Sequence, residues 1–188
     1  MPEDKFIIGM SNVSLDDHED NLPFFLAFQR LATEQQGIRL LMTGNEAYVS
    51  KKVVQLFGKD TLLFCGWPEF ETYNYLMSSC NVLVLPYPNI PRNAGRWPNK
   101  VGDYLSFNRP IITNPTGDLE HLFQNHKLGW LCDNTTEAYI SLFKRLLGNP
   151  SDFNSDSFDS LRVAYEMLSF ECRIKKMNAF FQSLLNEA

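Results

Sequence analysis

Positive charge is in short supply in this chain: 17 Lys and Arg stand against 22 Asp and Glu, a net charge of -5. No basic cluster interrupts that balance, so a general nucleic-acid binder is not expected. Absent too is any apolar run near the ~20 residues that a membrane span needs. Met1 to Lys5 lacks the basic start and apolar stretch of a secretory signal. The four cysteines, Cys65, Cys80, Cys132 and Cys172, are far apart with no C-x-x-C spacing. Buried free thiols in a reducing, cytoplasmic setting follow. No G-x-G-x-x-G follows the first apolar run, which disfavours one alternative, another doubly wound nucleotide binder such as an epimerase-like half. Of the three histidines, His18 sits among acids at no metal-ligand spacing. His121 and His126 flank an expected helix end, an ordinary place for histidine. Ser11 has no His and Asp partners in sequence, so a nucleophile triad has no support. There is no internal repeat.

What is present is apolar: 44% of 188 residues are hydrophobic and 13% aromatic, enough for one domain, or slightly more, with a real core. Short apolar runs read as strands at 6–10, 38–42, 61–65, 81–85, 111–113 and 129–132. Between them lie helix patterns. Phe25, Phe28 and Leu31 recur at helical spacing, with Asn21 as the expected cap and Pro23 in the first turn. Further helices are expected at 46–57, closed by Gly58, at 70–79, and through Leu119, Leu122 and Phe123. Asn134 to Glu137 has the form of a capping box before Ile140, Phe143, Leu146 and Leu147. Six strands alternating with helices predict an α/β fold, a doubly wound, six-stranded parallel sheet with helices on both faces. Residues 1–150 form that unit. A polar link from Ser151 leads to C-terminal helices in 151–188, which pack on it or cross elsewhere. Ligands of such sheets sit outside the carboxyl ends of the strands. Ser11 to Asp20, Gly66 to Pro68, Tyr87 to Pro98 and Asn114 to Asp118 are the loops there.

The most informative stretch runs from Asn93 to Leu105. Pro98 suits the first turn of a helix, which places Lys100 in that turn and Asp103 one turn on, on a similar face. A cation and a carboxylate beside a helix start, itself attractive to anions, suit a ligand with phosphate at one end and hydroxyls at the other. The plain alternative is an exposed helix pair. Arg96 reads equally as a ligand group or a solvated charge. Trp67 reads as a rim aromatic packed on the sheet end or as a platform for a ring.

Phe64-Cys65-Gly66-Trp67, then Asn81 to Tyr87, resembles the "F-x-G … a-D-v-l-v-l-P" stretch of group 1 glycosyltransferases of the GT-B fold. Pro98 to Ile112 is similar to their "P-x-K-x-x-E-Y-x-A-x-G-x-P-v-v" segment. Gly117 to Glu120 resembles the "g-g-x-x-E" turn, and Leu128 to Leu131 the strand after it. The resemblance extends from Phe6 to about Gly148 and implies the C-terminal, nucleotide-sugar-binding domain of a two-domain enzyme, a Rossmann-like half. It implies a nucleotide diphosphate sugar as donor, no cofactor, no metal, and retention of configuration. Asp103 takes the place of the Glu that binds ribose hydroxyls, and Lys100 that of the residue meeting the diphosphate. Asn93, Ala94 and Gly95 match the loop whose backbone N–H groups approach the phosphates. Gly66, Trp67 and Pro68 match the base-binding turn.

The departures are specific. Family members carry Arg and Lys in the loop after the first strand, whereas Ser11 to Glu19 has neither. Arg92 and Arg96 are the basic residues of the other loop. The first Glu of the Glu-x7-Glu pair falls at Gly95, and the Gly of "G-x-P" at Asn108. Catalytic groups and the acceptor site are expected on an N-terminal GT-B domain supplied in cis or trans, and any membrane association through that half. The isolated half is expected to be inactive. A non-catalytic binding or interaction module that has kept the fold and lost the donor is the alternative.

Overall fold

The computed structural model describes residues 5–11, 18–44, 57 and 60–186. Its strands are β1 (Phe6–Met10), β2 (Ile38–Met42), β3 (Leu62–Phe64), β4 (Val82–Leu85), β5 (Ile111–Thr113) and β6 (Gly129–Leu131). The helices are α1 (His18–Glu34), α2 (Phe70–Ser78), α3 (Pro91–Ala94), α4 (Lys100–Ser106), α5 (Asp118–Asn125), α6 (Thr136–Leu147), α7 (Ser160–Val163) and α8 (Phe170–Asn186). All strand pairs are parallel, in the order β3-β2-β1-β4-β5-β6. The doubly wound α/β sheet expected from the sequence is therefore the fold. The expected helix at 46–57 lies, Phe57 apart, outside the described residues.

Successive strand residues point to opposite faces, so each apolar strand serves two cores. Ile8, Leu40, Val84 and Ile112 meet Phe24 and Phe28 of α1 and Phe143 of α6. There Phe24 stands edge-on to Tyr139 at 5.6 Å. Ile7, Leu41, Leu83 and Ile111 meet Met77 of α2, Tyr104 of α4 and Leu119 of α5. Gly9 lets this second layer come close. A Cβ there would lie 2.6 Å from both Cys80 Sγ and Leu83 Cδ2.

Three helix starts differ from the sequence reading. α1 starts at His18, so Asn21 is not its cap and Pro23 is interior. Contacts from elsewhere fix the residues before Pro23: Asn134 Nδ2 donates to Asp20 O (2.9 Å), and Asp20 pairs with Arg92 (2.5 Å). α6 is capped by Thr135, whose Oγ1 accepts from Ala138 N, rather than by Asn134. α4 starts at Lys100, leaving Pro98 just before it. Val101 N and Gly102 N bond back to Pro98 O and Asn99 O (3.0 and 3.1 Å).

Beyond α6 the chain stays on the sheet unit for a further stretch. Phe153 packs edge-on to Phe6 and Trp130, and Phe158 to Trp130. Ser160 and Val163 of α7 are buried, Val163 in the core that also holds Tyr104 and Leu105 of α4. α8 differs. Its Phe170, Ile174, Met177, Phe181 and Leu184 form a stripe at spacings of four and three, and all are exposed. Among the described residues no helix is long and apolar enough to cross a membrane.

Candidate functional site

Strand order reverses between β1 and β4, and at such a reversal two loops diverge and leave a crevice at the carboxyl ends. A cavity of about 350 Å³ opens there. Met10 and Ser11 line it at the end of β1, Val84 to Tyr87 at the end of β4. Arg96 to Lys100 and Tyr104 form its far wall, and Asp20 and Asn21 of α1 its side.

Tyr104 joins these parts, and the sequence reading passed over it. It is fully buried. Its hydroxyl accepts from Ser11 N (2.8 Å) and Ser11 Oγ (3.3 Å) and donates to Val84 O (3.4 Å). One side chain thus ties α4 to the ends of both strands that flank the crevice. Burial pushes its phenol well above the ordinary range, against the opposing pull of Ser11, so it stays a neutral donor. A buried tyrosine hydroxyl needs such partners, and the apolar set Val101, Tyr104 and Leu105 was the available signal. Ser11, buried at 0% exposure, is as much a structural partner of α4 as a cavity-lining group.

Arg96 is exposed but held. Its Nε donates to Tyr87 Oη (3.1 Å), its Nη2 donates to Asn93 Oδ1 (3.0 Å), and its guanidinium lies 5.7 Å from the Tyr87 ring centre. Tyr87 Oη donates in turn to Arg96 O (3.1 Å). Asn93 is buried and anchors to Pro88 O through Nδ2 (3.0 Å). Arg92, by contrast, faces Asp20.

The structure divides the other expected site residues. Lys100 lines the cavity, whereas Asp103, one turn on, lies outside its lining and close enough to Tyr73 to act on it electrostatically. Asp103 is exposed, yet protein packed on one side of it pushes its carboxyl above the ordinary range. Trp67 and Pro68 line a separate depression of about 320 Å³ with Glu69, Phe70 and Tyr73. Trp67 is 72% exposed there and does not pack on the sheet end. Gly66 turns with φ 60° and accepts from Gly44 N through its carbonyl (2.7 Å), which fixes the turn to the end of β2. Tyr73 stands between the two regions. Burial raises its phenol most, the Ser11 hydroxyl beside it opposes this, and Asp103 adds to it. Even so, its buried hydroxyl closes no hydrogen bond among the described residues.

Asn93 and Ala94 end α3, and Gly95 follows as its cap. The N–H groups of Asn93 and Ala94 both bond to Ile90 O (2.9 Å), and none of the three residues lines the cavity. Their loop is instead held in place from the β5 side. Asn114 Oδ1 accepts from Tyr87 N (2.6 Å), and Thr116 Oγ1 donates to Tyr87 O (2.6 Å). Gly117, at φ 50°, passes so near that a Cβ would lie 2.7 Å from Ala94 O. Seven residues of α4 make a weak dipole, and two of its first amides are used locally. The positive character of this wall therefore comes from side chains. Among the described residues no group of three or more His, Cys, Asp or Glu is placed to hold a metal ion.

Residues 7–149 match the family described as glycosyl transferases group 1. The chain belongs to that family. No curated protein sequence matches the chain. Solved structures similar to it include sucrose-phosphate synthase from Thermosynechococcus elongatus, at 16% identity and TM-score 0.75, covering 100% of this chain and 47% of that one. Another is Anabaena HepE in complex with UDP-glucose, at 13% identity and TM-score 0.68, covering 98% and 49%. A third is the UDP-GlcNAc 2-epimerase of Neisseria meningitidis bound to UDP-GlcNAc, at 14% identity and TM-score 0.63, covering 89% and 46%. The chain thus spans about half the length of these three structures. At these identities the likeness is one of fold, which transferases and an epimerase share.

Proposed function

We propose that this chain is the donor-binding part of a glycosyltransferase. It holds a nucleoside diphosphate sugar and presents the anomeric carbon to an acceptor carried by a second, N-terminal domain, in cis or in trans. The observation that carries this reading is the cationic wall, Arg96 and Lys100, on a cavity at the strand-order reversal of a group 1 family chain. The base would lie against Trp67, whose exposed face offers a stacking surface. The ribose hydroxyls would donate to Asp103, and the diphosphate would meet Lys100. HepE and the Neisseria epimerase hold UDP-sugars on the same fold, which supports a nucleotide sugar as the ligand class.

Departure of the nucleoside diphosphate leaves negative charge on the phosphates, and fixed cations stabilise that charge as it develops. Lys100 and Arg96 supply it from the chain itself, so transfer is proposed to proceed without a metal ion. Retention of configuration is carried over from the family resemblance. Without an acceptor half this unit would bind donor and transfer nothing. A reducing cytoplasmic setting suits its four free thiols. Burial pushes Cys80 and Cys132 up to about 12, which keeps them protonated and unreactive.

Calorimetric titration with UDP, GDP and ADP tests the proposal. One of the three is expected to bind. Lys100→Ala should weaken it about tenfold, the effect of losing one charge-assisted hydrogen bond, and Asp103→Ala should weaken it as well. A folded chain that binds none of the three would contradict the reading.

A further inference from the structure

We infer that Arg96 is a preset phosphate clamp, held ready by Asn93 and Tyr87, and that it gives the site its preference for a diphosphate over a monophosphate. The inference rests on the donor-binding reading above and adds to it the residue that reads the phosphates. An exposed arginine ordinarily samples many rotamers and forfeits that freedom on binding. Arg96 has given it up already: Nε is fixed by Tyr87 Oη, Nη2 by Asn93 Oδ1, and the guanidinium plane by the Tyr87 ring. The holders are themselves rigid, since Asn93 is 1% exposed and Tyr87 6%. Tyr87 is further fixed at N by Asn114 and at O by Thr116.

Two of the five guanidinium N–H donors are used within the protein. The other three have no partner among the described residues, and the side chain lines the cavity. A planar fork with spare donors matches phosphate oxygens in pairs, whereas an ammonium offers a point charge. Arg96 and Lys100 on one wall therefore provide two cations for two phosphates. The acid on the lining, Asp20, is already met by Arg92 at 2.5 Å and so opposes an anion less. Asn93 lies outside the cavity lining and Tyr87 on it, and both act on the phosphates through Arg96, Tyr87 by its hydroxyl, which makes them positioning residues.

The test compares affinities for the diphosphate that binds best among UDP, GDP and ADP, its monophosphate, and its nucleoside. Wild type is expected to favour the diphosphate over the monophosphate. Arg96→Gln, at an exposed position, should weaken the diphosphate about tenfold or more and bring the two nucleotides close together, with nucleoside affinity unchanged. Tyr87→Phe keeps the ring and removes the hydroxyl. It should cost the diphosphate about three- to tenfold, the effect of releasing one side chain, again without touching the nucleoside. If wild type binds a diphosphate and Arg96→Gln leaves its advantage intact, the clamp is refuted while the donor site stands. Equal losses for diphosphate and nucleoside refute it too, since they mark a structural role. If wild type binds none of the nucleotides, both readings fall together.

Discussion

Asp103 shows what a single carboxylate contributes to fold and site. Its pKa is raised by partial burial, so the folded state disfavours the ionised form relative to the unfolded chain. The native state then holds more protons than the unfolded state between the ordinary carboxyl value and the raised one. Stability is greatest with Asp103 protonated and falls as pH rises through that interval. Asp103→Asn is therefore expected to melt higher than wild type at pH 7, with the gap closing towards pH 3. A melting series over that range checks it, and a gap of constant size would show that titration plays no part. Asn108 carries a different lesson at the same scale. Its φ of 52° lies in the left-handed region, which costs most side chains about 1–2 kcal/mol and which Gly and Asn tolerate. The departure from the family's Gly is thus a change the backbone accepts. Neither property could be read from residue types alone, because each depends on what the fold places around the residue.

Among elements, the strands were legible and the site's supports were not. Leu83-Val84 and Ile111-Ile112 are apolar without a break because both faces of the sheet are covered, and that pattern is visible in sequence. The start of α1 was misplaced because the contacts of Asp20 with Arg92 and Asn134 are long-range. For the same reason Tyr104 on Ser11 and Asn93 on Arg96 were not legible as pairs. Lys100 and Asp103 were found as residues, but their expected shared face was not, since one lines the cavity and the other lies towards Tyr73. At the C-terminus α7 and α8 predict different behaviour. Removing residues 170–188 takes away exposed apolar side chains, and should leave the melting temperature within a few degrees while weakening binding of a hydrophobic dye. Ending the chain before Ser160 uncovers part of the core that holds α4, and should lower stability clearly. Equal effects of the two truncations on melting would show that α8 contributes to the core.

For the molecule as a whole, the sheet order fixes where a ligand can sit, and the side chains fix which ligand. The reversal between β1 and β4 provides a crevice that would exist with many sequences on this fold. Tyr104 sets the α4 wall of that crevice, and the Tyr87–Asn93 pair sets the cation on it. A nucleoside diphosphate is proposed to occupy this crevice. Amide hydrogen exchange with and without saturating UDP, GDP or ADP, whichever binds, tests it most directly. Added protection is expected at Ser11, 84–87 and 96–104, with a smaller gain at 67–73. Protection confined to α8, or to surfaces away from the carboxyl ends of β1 and β4, would contradict it.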